Sequence, residues 1–144
     1  NLRTVNMISG AGNPVGGSFT GPAEALEIIG DHAYAYSGAI TTSGTGSANN
    51  TTCKFTYGNY YFVGTLAFYS DETGGATQYV DLTMNGQSVI KTSWDTASSS
   101  AMMSDTPVPI IIPPYTQVEC LVGVSAGTDE WTTQLVGRIY RTRD

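Results

Sequence analysis

The chain has 144 residues, a net charge of −6 and only 12% charged side chains, about half the usual share for a soluble domain. That length holds one domain with a single two-layer core, and a hydrophobic fraction of 40% excludes disorder. Six basic residues over the whole length leave no basic stripe to displace counterions, which excludes nucleic-acid binding as a main task.

The surface is made polar by 20 Thr and 13 Ser, accompanied by 17 Gly. Such a nearly uncharged polar surface suits β-strand faces and extracellular or particle surfaces. No apolar run approaches the length of a membrane span. Arg138, Arg141 and Arg143 near the C-terminus read as a solvated tail.

Residues 1–31 are rich in Gly and carry Pro14 and Pro22, and they read as an extended arm that lies along a neighbouring surface. Pro22, followed by Glu24 and Glu27, predicts one helical turn over 22–29. The stretch GAGNPVGG over 10–17 neither follows a strand nor precedes a helix, and it lacks the Gly-Lys-Ser/Thr ending of a phosphate loop. It belongs to the arm. The chain opens on Asn1 rather than Met, as a processed product or part of something longer does.

From His32 onward eight strands are predicted, over 32–41, 52–57, 60–70, 79–84, 87–94, 108–112, 117–125 and 132–142. The breaks between them carry turn residues, and Asn85-Gly86 between alternating runs is a hairpin signal, because its turn needs positive φ at both central positions. Val80, Leu82 and Met84 share one face, as do Val118, Cys120, Val122 and Val124, the pattern of sheets buried on one side. The strand over 60–70 departs from it: Tyr60, Phe62, Leu66 and Phe68 on one face are matched by Tyr61, Val63, Ala67 and Tyr69 on the other.

A sandwich strand that is apolar on both faces needs a cover over its outer side. Together with Tyr34 and Tyr36, this predicts a homo-oligomer whose contacts include Tyr34, Tyr36, Tyr61, Val63 and Tyr69. The fold expected is all-β: an eight-stranded jelly-roll β-sandwich over 32–144 with an extended N-terminal arm over 1–31.

The motifs point away from catalysis. GVSAG at 123–127 matches G-x-S-x-G, but a strand follows it and the one histidine, His32, lies upstream, so a strand-end turn is expected at Ser125. A lone His32 offers no metal site. Asp71–Glu72 and Asp129–Glu130 sit in predicted loops, without the spacing of a calcium loop or a cleft for a glycosidase. Cys53 and Cys120 pair only if their strands are neighbours; the simpler reading is two small buried hydrophobes. Asn49-Asn50-Thr51-Thr52 holds two overlapping glycosylation sequons. No enzyme, metal or cofactor is expected. A second reading places a receptor- or carbohydrate-binding surface at Trp94, Tyr115, Trp131 and the 95–106 loop, where aromatic rings can stack on a sugar.

Four pieces, FTYGNYYF (55–62), VDLTMNG (80–86), TQVECLVGV (116–124) and LVGRIY (135–140), resemble the strand pattern of the jelly-roll domains of the C1q and tumour-necrosis-factor group. Those domains are trimers with aromatic interfaces, so the resemblance implies a homotrimer. The chain has IPPYT where that group carries an L-x-x-G-D turn, and it lacks a collagen-like stalk. The Gly-, Ser- and Thr-rich composition, the arm and the IIIPPYTQVE stretch (110–119) are similar to capsid-decoration, fibre and vertex proteins of phages. That second resemblance implies a non-enzymatic virion protein on the particle surface, docked through its arm on the major capsid protein or another virion protein, with a host-surface glycan as a further partner.

Overall fold

The computed structural model describes residues 21–44, 46–56, 58–71, 76–95 and 107–141, with the side chains of Trp94 and Asp95 left aside. Ten strands are formed there: β1 (Glu27–Ile29), β2 (His32–Tyr36), β3 (Ile40–Ser43), β4 (Asn50–Thr56), β5 (Tyr60–Ser70), β6 (Thr77–Met84), β7 (Gln87–Asp95), β8 (Val108–Ile112), β9 (Gln117–Val124) and β10 (Thr128–Arg141). Among the described residues there is no helix, and so none long and apolar enough to cross a membrane.

All strand pairs are antiparallel and fall into two sheets. The six-stranded sheet runs β1-β2-β10-β5-β8, with β3 also on β10, and the four-stranded sheet runs β4-β9-β6-β7. The core lies between them. Phe62, Leu66 and Phe68 of β5 and Trp131 and Leu135 of β10 meet Val80 and Leu82 of β6 and Val118 and Val122 of β9 there, all at or near zero exposure. Period-2 alternation puts each of these sets on one side of its strand.

Two hydroxyl-rich contacts cross the apolar layer. Thr133 Oγ1 of β10 donates to Thr52 Oγ1 of β4 at 2.8 Å, and Thr52 Oγ1 in turn donates to the Cys120 carbonyl at 3.3 Å. Nearer one end, Gln78 Nε2 of β6 donates to Asp129 Oδ2 at 3.0 Å and also to Ser70 Oγ, while Thr42 Oγ1 donates to Asp129 Oδ1. The Thr133–Thr52, Gln78–Asp129 and Gln78–Ser70 bonds join the two sheets, and such buried polar contacts fix how the sheets face each other.

The predicted strands are recovered with shifts of a few residues, and the predicted count of eight becomes ten. The strand expected over 32–41 is broken at Ser37 to Ala39, because Ser37 N turns to the Thr133 carbonyl and Gly38 N to the Gly21 carbonyl. β2 and β3 then lie in succession along the same edge of β10. The helical turn expected over 22–29 is not formed. Glu27–Ile29 is a strand paired with β2, and Ala23 bridges Cys53, its N donating to the Thr52 carbonyl and its carbonyl accepting from Lys54 N. Pairing to an existing sheet satisfies this backbone better than one isolated turn. Ala23 and Leu26 are buried with the core, so residues 21–31 join the sandwich, while 1–20 of the expected arm lie outside the described residues.

Asn85 and Gly86 have φ of 53° and 80°, the two positive values of a type I′ hairpin between β6 and β7. Asn85 adds a second role: its Oδ1 accepts from Gln117 N at 2.9 Å, tying the hairpin to β9.

Candidate interaction face

The outer faces of the two sheets differ in kind. On the four-stranded sheet, Lys54 of β4 stands opposite Glu119 of β9, 3.9 Å from its carboxylate, Asp81 of β6 stands opposite Lys91 of β7, and Thr83 stands opposite Ser88. On the six-stranded sheet many of the outward positions are aromatic or β-branched, with Arg138 and Gln134 among them. Tyr61 stands opposite Tyr140, Tyr34 opposite Val136, and Val63 between Arg138 and Ile111.

All five predicted contact residues project from this second face. Tyr36, Tyr61, Val63 and Tyr69 are each exposed, and Tyr34 is half-buried beside Tyr36, their ring centroids 5.0 Å apart. Burial, and after it the carboxylate of Glu27 across the β1–β2 pair, push the Tyr34 phenol above its ordinary value. The face continues through Val136, Tyr140 and Ile111, all exposed. Those three were missed in the sequence, although the alternation of Val136, Arg138 and Tyr140 along β10 carried the signal.

At one margin of the face lies a shallow apolar hollow of about 410 Å³ lined by Val63, Gly64, Pro109, Ile110 and Ile111. Among the described residues β8 pairs with β5 alone, and Pro109 removes one donor from it, a common guard against unwanted strand addition. The opposite margin is charged: Asp31 lies 3.5 Å from His32 and 4.0 Å from Arg138. The face thus interleaves exposed Tyr, Val and Ile side chains with Arg138 and Gln134 of the central strand β10.

The three residues expected to form a ligand surface are not brought together, and that expectation is corrected for Trp131. Trp131 has zero exposure and is part of the core, because β10 begins four residues earlier than predicted and turns that side chain inward. Trp94 is aligned with Gln78, and through it with Val124, at one end of the sandwich. Tyr115 lies at the other end, just before Gln117, roughly 23 Å away along β9 at about 3.3 Å per residue. It is 68% exposed with a φ of 57°, and its N donates to the Gly58 carbonyl at 3.0 Å. The 95–106 loop lies outside the described residues beyond Asp95.

The remaining motifs take structural positions. Ser125 follows the end of β9; its Oγ accepts from Thr77 N and its N donates to the Thr77 carbonyl, both at 2.8 Å. Asp129 lies within β10 rather than in a loop and points inward to Gln78 and Thr42. Asp71 Oδ1 accepts from Glu130 N at 2.7 Å, so the two acidic pairs meet, while Glu72 is outside the described residues. Among the described residues no three His, Cys, Asp or Glu side chains converge as metal ligands would. Comparison of the chain with protein-family models, with curated proteins and with solved structures finds no match.

Proposed function

We propose that this chain is a non-enzymatic structural subunit of a virus particle, in first place a phage, that associates with its own copies through the outer face of the six-stranded sheet. The observation that carries the reading is the contrast between the two outer faces, one lined by exposed Tyr36, Tyr61, Val63, Val136 and Tyr140, the other by the Lys54–Glu119 ion pair, Asp81, Lys91, Thr83 and Ser88, with Tyr79 and Leu121 half-buried among them. Covering apolar surface stabilises association by about 25 cal/mol per Å² before the entropic cost of joining subunits. A polar opposite face and a low charge density suit a subunit displayed to solvent on a particle, docked there through its N-terminal segment.

The finer fold reading is a jelly roll. With the two shortest strands, β1 and β3, set aside, the pairs β2·β10, β4·β9, β5·β8 and β6·β7 are nested, first with last and so inward. Such nesting, rolled into two sheets, is the winding of a jelly roll, an architecture common in viral capsid and lectin domains. The implied assembly is a trimer.

The test is the mass of the purified protein in solution, by light scattering over a concentration series. A stable species at about three times the 15.2 kDa chain mass is expected; a monomer at every concentration removes the reading. The alternative, a receptor- or carbohydrate-binding module, is favoured by Tyr115, an exposed aromatic held at positive φ on a loop tip. Glycan binding that is lost in Tyr115→Ala while the mass stays monomeric would select it.

A further inference from the structure

The only two cysteines of the chain stand opposite each other on one rung of the four-stranded sheet, Cys53 of β4 facing Cys120 of β9. Both are unbridged, fully buried, and turned to the same side of the sheet, into the core. We infer that this rung is an oxidation site, at which a low-molecular-weight disulfide closes a cross-strand bridge between Cys53 and Cys120.

The rung type follows from the backbone. Ala23 N donates to the Thr52 carbonyl and Lys54 N to the Ala23 carbonyl, so those two groups point away from β9. Backbone polar groups alternate sides along a strand, which turns those of Cys53 towards β9. Cys53 and Cys120 therefore occupy a hydrogen-bonded rung, with Cα atoms about 5.5 Å apart. That separation lies within the range of disulfides. Side chains on such a rung stand wider than a relaxed bridge requires, and the slack is local: the register of β4 on β9 shifts by a bulge between Thr51 and Cys53.

Access follows from the topology. Burial pushes both thiols up, Cys120 to about 12, so thiolate is scarce in the closed sheet. Among the described residues β4 is an edge strand of its sheet, and the Ala23–Cys53 bridge lies on its outer side. Closure proceeds during folding, or when this edge opens. One protein thiolate attacks the disulfide of oxidised glutathione and releases one glutathione thiolate. The second protein thiolate then attacks the mixed disulfide at the protein sulfur and releases the other. Two protein thiols lose two protons and two electrons, and oxidised glutathione becomes two reduced molecules.

The experiment is to refold the denatured full chain at low concentration in a glutathione redox buffer, then alkylate it and weigh it. The expected product is a monomeric chain lighter by two hydrogens, with no alkyl group or glutathione adduct and with the near-ultraviolet dichroism of the reduced protein. Its melting temperature is expected to be higher by roughly 10 °C, from the closed loop of 67 residues. Cys53→Ser and Cys120→Ser, each alone, are expected to show neither the mass loss nor the shift. Two alkylatable thiols after refolding, or a bridged chain without the native dichroism, would overturn the assignment.

Discussion

Gly64 of β5 and Gly137 of β10 stand directly opposite each other in the middle of the six-stranded sheet, and the ring of Phe62 closes over both. A methyl group on Gly64 would meet the Val136 carbonyl and lie 2.7 Å from the Gly137 Cα; one on Gly137 would meet the Val63 carbonyl and lie 2.6 Å from the Gly64 Cα. Phe62 Cζ would be 2.8 and 2.9 Å from the two added groups. Glycine inside a strand marks such a close approach of backbones. The space that two side chains would fill is taken by one aromatic ring, which carries the core across the strand pair behind the exposed face.

Gly64→Ala and Gly137→Ala are each expected to destabilise the fold by about 3 kcal/mol, since what they meet is backbone and cannot rotate away. Urea unfolding measures this. A loss under about 0.5 kcal/mol, within the range of ordinary surface changes, would mean that the β5–β10 pair opens freely at this rung.

Trp131→Ala is expected to cost about 4 kcal/mol, the scale for emptying a large core site. The indole has zero exposure, so its fluorescence should shift to longer wavelength only on unfolding. Red-shifted emission in the native protein, once Trp94 is replaced by Phe, would contradict the burial.

On the exposed face, Tyr61→Ser with Val136→Lys is expected to lower the solution mass to that of one chain while leaving thermal stability nearly unchanged. Exposed positions of this kind move stability by about 0.5 kcal/mol or less, whereas two such changes at an interface remove its apolar field. Lys54→Ala with Thr83→Lys on the opposite face is the control and should leave the mass alone. If both pairs act equally, the contrast between faces has no bearing on assembly.

Alkaline pH is expected to weaken the fold through the buried thiols. In the unfolded chain they ionise near the ordinary value of 9.0, whereas in the folded chain burial pushes Cys53 well above that value and Cys120 to about 12. Their contribution is fully present below pH 9 and is lost as pH rises from 9 towards 12, by about 1.4 kcal/mol per pH unit for each thiol. Chemical unfolding of the reduced protein from pH 8 to 11 checks it against Cys53→Ala/Cys120→Ala, whose decline should be shallower.

In the β6–β7 hairpin, Gly86→Ala is expected to cost about 1 kcal/mol, because φ is 80° there. Asn85→Ala should cost about 2 kcal/mol, since it loses tolerance for positive φ and also the acceptor for Gln117 N. Equal effects at the two positions would argue against the Asn85–Gln117 tie.

The elements that local pattern determines were legible from residues alone. The strands over 60–70 and 108–112 have the bounds the sequence implied, and Asn85-Gly86 forms its hairpin, because side-chain alternation and positive φ are properties of a few consecutive residues. The two-faced composition of β5 marked the face that carries Tyr61, Val63 and Tyr69. The failures involved distant partners. Pro22 and the acids after it imply a helical start, yet the segment pairs with β2 and Cys53 instead. Trp131 looked like a strand-end aromatic because nothing local says that β10 extends back to Thr128 to meet β3.

By itself, then, the sequence determined that this chain is all-β, where most strands run, and which strand is apolar on both sides, since alternation is written into neighbouring residues. Only the tertiary structure decided which strands pair beyond the β6–β7 hairpin, which sheet turns its aromatic side outward, and that Cys53 and Cys120 share a rung. Register between strands far apart in the chain is set by hydrogen bonds and core packing that form together, and the alternation of either strand alone is compatible with many registers.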